Sequence, residues 1–61
     1  MNRYILLTQK KTDDEVYVFV DHIEAIYPKI SGSNLSGIGN NGGLVVRENP
    51  EQIIKLIEEL N

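Results

Sequence analysis

Glu15-Val16-Tyr17-Val18-Phe19-Val20 is the stretch from which the fold is read. After the glutamate every residue is β-branched or aromatic, a composition that fits a pleated strand and penalises a helix. Upstream, Tyr4-Ile5-Leu6-Leu7 runs out through Thr8 and Gln9 as a second apolar segment. Polar Lys10-Lys11-Thr12-Asp13-Asp14 separates the two, with turn-forming aspartates, so the pair predicts a β-hairpin. Successive strand residues point to opposite faces. Val16, Val18 and Val20 therefore share one face while Tyr17 and Phe19 share the other, and Ile5 and Leu7 oppose Tyr4 and Leu6. Both faces of the hairpin are apolar.

Downstream, Ile23, Ile26, Tyr27 and Ile30 suit either a strand or a helical turn. Pro28 decides for a strand over residues 23–30, because it lacks an N–H and disfavours a helical Tyr27; the strand lies near an edge or bends at the proline. Residues 31–43 hold all five glycines, with three asparagines and three serines, and no charge falls between Lys29 and Arg47. Asn41-Gly42 is a two-residue hairpin signal, since both positions tolerate positive φ. A fourth strand over 34–39 then turns back into a fifth, Leu44-Val45-Val46-Arg47. A flexible linker is the other reading of this stretch, and Leu35 and Ile38 weigh against it.

At the C-terminus, Asn49 stands as a helix cap before Pro50 at the first helical position, with Gln52 where a capping box needs it. Ile53, Leu56, Ile57 and Leu60 recur on one face, Ile54 lies at its margin, and Glu51, Lys55, Glu58 and Glu59 take the other side. The expectation is an α+β fold: residues 1–61 form a single β-rich domain, a small antiparallel sheet of four or five strands built from hairpins, with one amphipathic helix over 50–60. One helix covers one face of such a sheet. The face carrying Tyr4, Leu6, Tyr17 and Phe19 is left for a second copy of the chain, since large exposed apolar patches are rare.

The chain has 61 residues, which allows one domain and little core. It has no cysteine, so neither disulfides nor a cysteine–zinc site holds it together. Nine acids against six bases give a net charge of −3 without a basic run, against nucleic acid or anionic membrane as partners. The longest unbroken apolar run, Val16 to Val20, is five residues, far short of a membrane span or signal core. A cytoplasmic protein is expected.

Gly37-Ile38-Gly39-Asn40-Asn41-Gly42 spells G-x-G-x-x-G, but a strand follows it rather than the helix a dinucleotide-binding turn requires. Gly32 and Gly37 have phosphate-loop spacing without the Lys-Ser/Thr that must follow. Closer is the glycine hairpin of protein kinases, G-x-G-x-x-G-x-V, whose small residues let backbone N–H groups approach phosphates; residues 37–44 nearly fit, with Leu44 at the valine position. Lys29 and Arg47, at the margins of the stretch, would add charge-assisted bonds. An isolated glycine string is more often a turn that meets no ligand. His22 has acids nearby in Asp21 and Glu24 but no activated serine, and reads as a turn residue. Asp13-Asp14-Glu15 lacks the calcium-loop pattern and reads as a solvated turn. No catalytic set and no cofactor are indicated, so the chain is read as a non-enzyme.

The order of segments resembles the small flagellar and swarming motility proteins of bacteria, and related small bacterial and phage proteins. The matching positions are Asp21, Ile23, Glu24 and Ile26, then Gly42, Val45, Val46, Arg47 and Glu48, then the helix from Pro50 to Leu60. The resemblance implies a protein–protein interaction role in motility. In its size, expected self-association and lack of a catalytic set, the chain also looks like the oligomeric phage proteins that sequester nucleotide immune signals in infected bacterial cells. The functional expectation is accordingly a non-catalytic homo-oligomer holding a nucleotide-like ligand at subunit interfaces. Tyr4, Tyr17, Phe19 or Tyr27 would stack a base. The ligand contacts expected are Tyr17, Phe19, Lys29, Gly37, Gly39, Asn40, Asn41, Gly42 and Arg47. The alternative is a protein-interaction regulator of the motility type.

Overall fold

β1 (Tyr4–Thr8) and β2 (Glu15–Phe19) pair antiparallel, with Tyr4 opposite Phe19 and Leu6 opposite Tyr17. The alternation read from the sequence is the one observed. Ile5, Leu7 and Val18 are buried, while Tyr4, Leu6, Tyr17 and Phe19 are exposed. The turn between the strands is closed by Asp13 in the left-handed region at φ 63°, with the Gln9 N–H donating to the Asp14 carbonyl at 2.8 Å. The structure, a computed structural model, describes residues 3–38 and 43–60.

A single 3₁₀ turn, Val20–His22, leads from β2 into β3 (Ala25–Lys29). β3 pairs with β4 (Gly32–Ser36), and β4 with β5 (Leu44–Val46), both antiparallel. The five expected strands thus form two sheets, β1-β2 and β3-β4-β5, rather than one. The sheets meet at one bridge, Gln9 with Val46, flanked by Arg47 N–H to the Thr8 carbonyl at 2.8 Å and Lys10 N–H to the Val45 carbonyl at 3.1 Å. In space the strands run β2-β1-β5-β4-β3. Glu48 secures this junction: its carboxylate accepts the Thr8 N–H at 3.0 and 3.2 Å, and its carbonyl accepts the hydroxyl of fully buried Ser33 at 2.7 Å.

Three strands differ from the expectation in their bounds. The third strand begins at Ala25 rather than Ile23, because Ile23 closes the 3₁₀ turn, and stops at Lys29; Ile30, read as a strand residue, lies fully exposed in the two-residue turn Ile30–Ser31. The fourth strand begins at Gly32 rather than Asn34 because Gly32, at φ 142°, packs against the Val46 carbonyl where a Cβ would overlap it. It ends at Ser36, before Gly37 at φ 90°. β5 ends at Val46, with Arg47 just beyond it. Pro28 sits on β3, which has β4 as its only strand neighbour, so the missing N–H falls at the edge anticipated for it. The expected Asn41-Gly42 turn lies outside the described residues.

The helix, α1 (Pro50–Glu58), starts where the cap predicts. The Asn49 side chain accepts from the Gln52 N–H at 2.8 Å, and the Gln52 side chain accepts from the Asn49 N–H at 2.9 Å. It ends two residues early, so Leu60 leaves the apolar face and is 40% exposed. The core is Ile5, Leu7, Val18, Leu35, Val46 and Ile53, drawn from both sheets and the helix. The inner face of the hairpin is therefore covered by the second sheet as well as by α1. Each such side chain contributes about 1.5–3 kcal/mol by burial. The outer face of β1-β2 stays open.

Candidate functional site

On that outer face the register sets two cross-strand pairs side by side, Tyr4–Phe19 and Leu6–Tyr17. Tyr17 is 69% exposed, Tyr4 51%, Phe19 44% and Leu6 40%. The rings touch edge to face, with centroids 5.5 Å apart for Tyr4–Tyr17 and 6.2 Å for Tyr4–Phe19. This geometry is preferred between aromatic quadrupoles. A hollow of about 260 Å³ lies over Tyr4, Tyr17 and Phe19.

A second hollow, of about 210 Å³, shares Phe19 and is lined by Arg3, Asp21 and His22. The 3₁₀ turn builds it. Positions three apart eclipse in a 3₁₀ turn, which brings His22 over Phe19 at 6.0 Å between ring centroids. Arg3 and Asp21 stand 3.9 Å apart and both are exposed, so their ion pair is loose and their remaining donors and acceptors face solvent. The combination is an aromatic wall beside a cation, a carboxylate and an imidazole. It can stack a planar group and hydrogen-bond its polar periphery.

The residues expected to meet a ligand do not all come together. Tyr17 and Phe19 are on the aromatic face. Gly37 lies beside the 3₁₀ turn, where a Cβ would overlap the His22 carbonyl oxygen, and does not line the second hollow. Lys29 and Arg47 lie at the other end of β4: Lys29 pairs with Gly32, and the Arg47 backbone packs against that same glycine. The four residue steps from Gly32 to Ser36 span about 13 Å at roughly 3.3 Å each. Lys29 and Arg47 therefore do not flank the Gly37 end of the sheet as their place in the sequence suggested, and Arg47 is ion-paired with Asp13. Gly39, Asn40, Asn41 and Gly42 lie outside the described residues.

Arg3, Asp21 and His22 were not among the expected contacts. Their signal was the Phe19/His22 spacing of three across a segment too short for an α-helix, which reads only once the 3₁₀ turn is known. No family model, curated protein or solved structure matches this chain.

Proposed function

We propose that this chain is a small, non-catalytic, homo-oligomeric binding protein whose working surface is the outer face of the β1-β2 hairpin. The observation that carries the reading is the open cluster of Tyr4, Leu6, Tyr17 and Phe19, four large apolar side chains adjacent on one sheet face. Patches of this kind mark interaction surfaces rather than inert exterior. Among the described residues no helix is long and apolar enough to cross a membrane, so the patch is not part of a helical span.

The ligand that best fits the neighbouring hollow is nucleotide-like. A base would stack on Phe19 and the tyrosines, with Arg3 and His22 toward phosphate and Asp21 toward a ribose hydroxyl. This is sequestration of the kind that the chain's size and resemblance suggest. The second reading is a motility-type regulator that docks a protein, favoured by the absence of charged residues around the larger hollow over Tyr4, Tyr17 and Phe19. Calorimetry and native mass spectrometry against cyclic and ADP-ribose-type nucleotides separate them. Tight binding with the nucleotide recovered intact, and lost in Arg3→Ala and Phe19→Ala, supports sequestration. Conversion of the nucleotide contradicts the non-catalytic reading, and failure of the whole panel leaves the protein-docking role.

A further inference from the structure

The strand order leaves β2 and β3 as terminal strands, and their free edges differ. β3 carries Pro28, with no N–H to offer, followed by exposed Lys29, two features that block strand addition. β2 carries neither. The Val20 N–H donates to the Arg3 carbonyl and the Gln9 N–H to the Asp14 carbonyl. Those two bonds fix the phase of the hairpin: 3/20 and 9/14 are joined by one bond each, and between them 5/18 and 7/16 are the facing pairs in hydrogen-bonding phase. Val16 and Val18 thus direct their backbone groups to β1. The N–H and C=O groups of Glu15 and Tyr17 and the N–H of Phe19 point out along the open edge without a backbone partner among the described residues, while the Phe19 carbonyl opens the 3₁₀ turn Val20–His22 and already accepts its first bond.

We propose that this edge is where a second copy of the chain pairs, antiparallel, about a two-fold axis at Tyr17. The proposal rests on the oligomeric reading above and specifies how the oligomer is built. The edge is self-complementary. With Tyr17 opposite Tyr17 of the partner subunit, Glu15 falls opposite Phe19 of the partner subunit; the central pair exchanges both of its backbone bonds, and each outer pair gains the bond from the Phe19 N–H to the Glu15 carbonyl, the Phe19 carbonyl being shared with the 3₁₀ turn. Glu15 then meets an aromatic ring rather than another acid. The two Glu15 carboxylates stand roughly 13 Å apart along the strand, beyond the physiological screening length of about 8 Å. Sliding the register toward Glu15 brings the carboxylates together, and sliding it toward Phe19 forfeits hydrogen-bonded pairs. Facing residues share a sheet face, so the aromatic clusters of both copies become one surface across the subunit boundary.

A cysteine at the axis tests the register. Facing Cα atoms in a hydrogen-bonded pair are about 5.5 Å apart, within the disulfide range of about 4.4–6.8 Å, and the chain has no cysteine of its own. Mild oxidation is expected to link most of Tyr17→Cys into covalent dimers and to leave Lys55→Cys, on the helix, largely unlinked. Glu15→Pro removes an edge N–H without touching the bonds to β1 and should weaken association at least tenfold. Amide exchange needs no variant: in the wild-type protein the Tyr17 and Phe19 amides should exchange at least tenfold more slowly above the dimerisation concentration than below it. Equal exchange in an oligomeric wild type, with Tyr17→Cys linking no faster than Lys55→Cys, overturns edge pairing while leaving self-association through the aromatic face. A monomeric wild type overturns both.

Discussion

Replacing Glu48 with alanine removes the side chain that ties the two sheets together. Thr8 is the last residue of β1, and its backbone groups lie in the phase that points away from β2, toward β5. Its carbonyl is taken by the Arg47 N–H, and its N–H by both Glu48 carboxylate oxygens at 3.0 and 3.2 Å. The Ser33 hydroxyl bonds the Glu48 backbone carbonyl, so that contact survives loss of the side chain. A hydrogen bond to a charged group contributes about 1.5–3 kcal/mol, and since Thr8 and Glu48 are half-buried the lower part applies, about 1.5–2 kcal/mol. For a domain of this size each kcal/mol moves Tm by about 4–8 °C, so Glu48→Ala should melt about 6–16 °C lower. Glu48→Gln keeps one acceptor and should lose roughly half as much. Thermal and urea melts followed by circular dichroism give the stability, and amide exchange at Thr8 locates it. A Glu48→Ala protein within about 0.5 kcal/mol of wild type, with Thr8 equally protected, would refute the junction.

Loss of the helix cap in Asn49→Ala should cost about 0.5–2 kcal/mol, whereas Ile53→Ala, at the fully buried helix position, should cost about 2–5 kcal/mol; urea melts that reverse this ranking would place the helix wrongly on the sheets. Gly32→Ala should destabilise more than either exposed-loop or helix-surface changes, with about 1–2 kcal/mol from its positive φ and about 1–3 kcal/mol from the collision with the Val46 carbonyl; a melt within 0.5 kcal/mol, by the usual size of neutral surface changes, would show that the β3-β4 turn is built differently. Phe19→Asp should raise the dissociation constant of the oligomer at least tenfold by light-scattering dilution, and Lys55→Asp should leave it unchanged.

The strands with strict alternation were legible because their side chains satisfy one geometry only: a β2 register shifted by one residue would expose Val18 and bury Tyr17. The capping box was legible for a similar reason, since Asn49, Pro50 and Gln52 each suit a single helix position. The division into two sheets was not. It depends on the end of β1, Thr8 and Gln9, meeting Val46 and Arg47 on one side while still paired with Glu15 and bonded to Asp14 on the other, and on a Glu48 side chain reaching a backbone N–H forty residues earlier. Local pattern carries no record of such pairings. Ile30 misled because an apolar residue after Lys29 continues the strand pattern, while the turn is imposed from outside by Gly32 against Val46. The aromatic half of the candidate site followed from alternation alone. Its polar half did not, because the 3₁₀ turn that carries His22 back over Phe19 is three residues long and leaves no period to read.

The most direct test of this account is the mass of the wild-type chain in solution. Multi-angle light scattering across low micromolar concentrations should give at least twice the 6.9 kDa of one chain, falling toward 6.9 kDa on dilution and in Phe19→Asp. A cooperatively folded species that stays at 6.9 kDa throughout that range would contradict self-association on β1-β2 and, with it, any ligand site shared between copies.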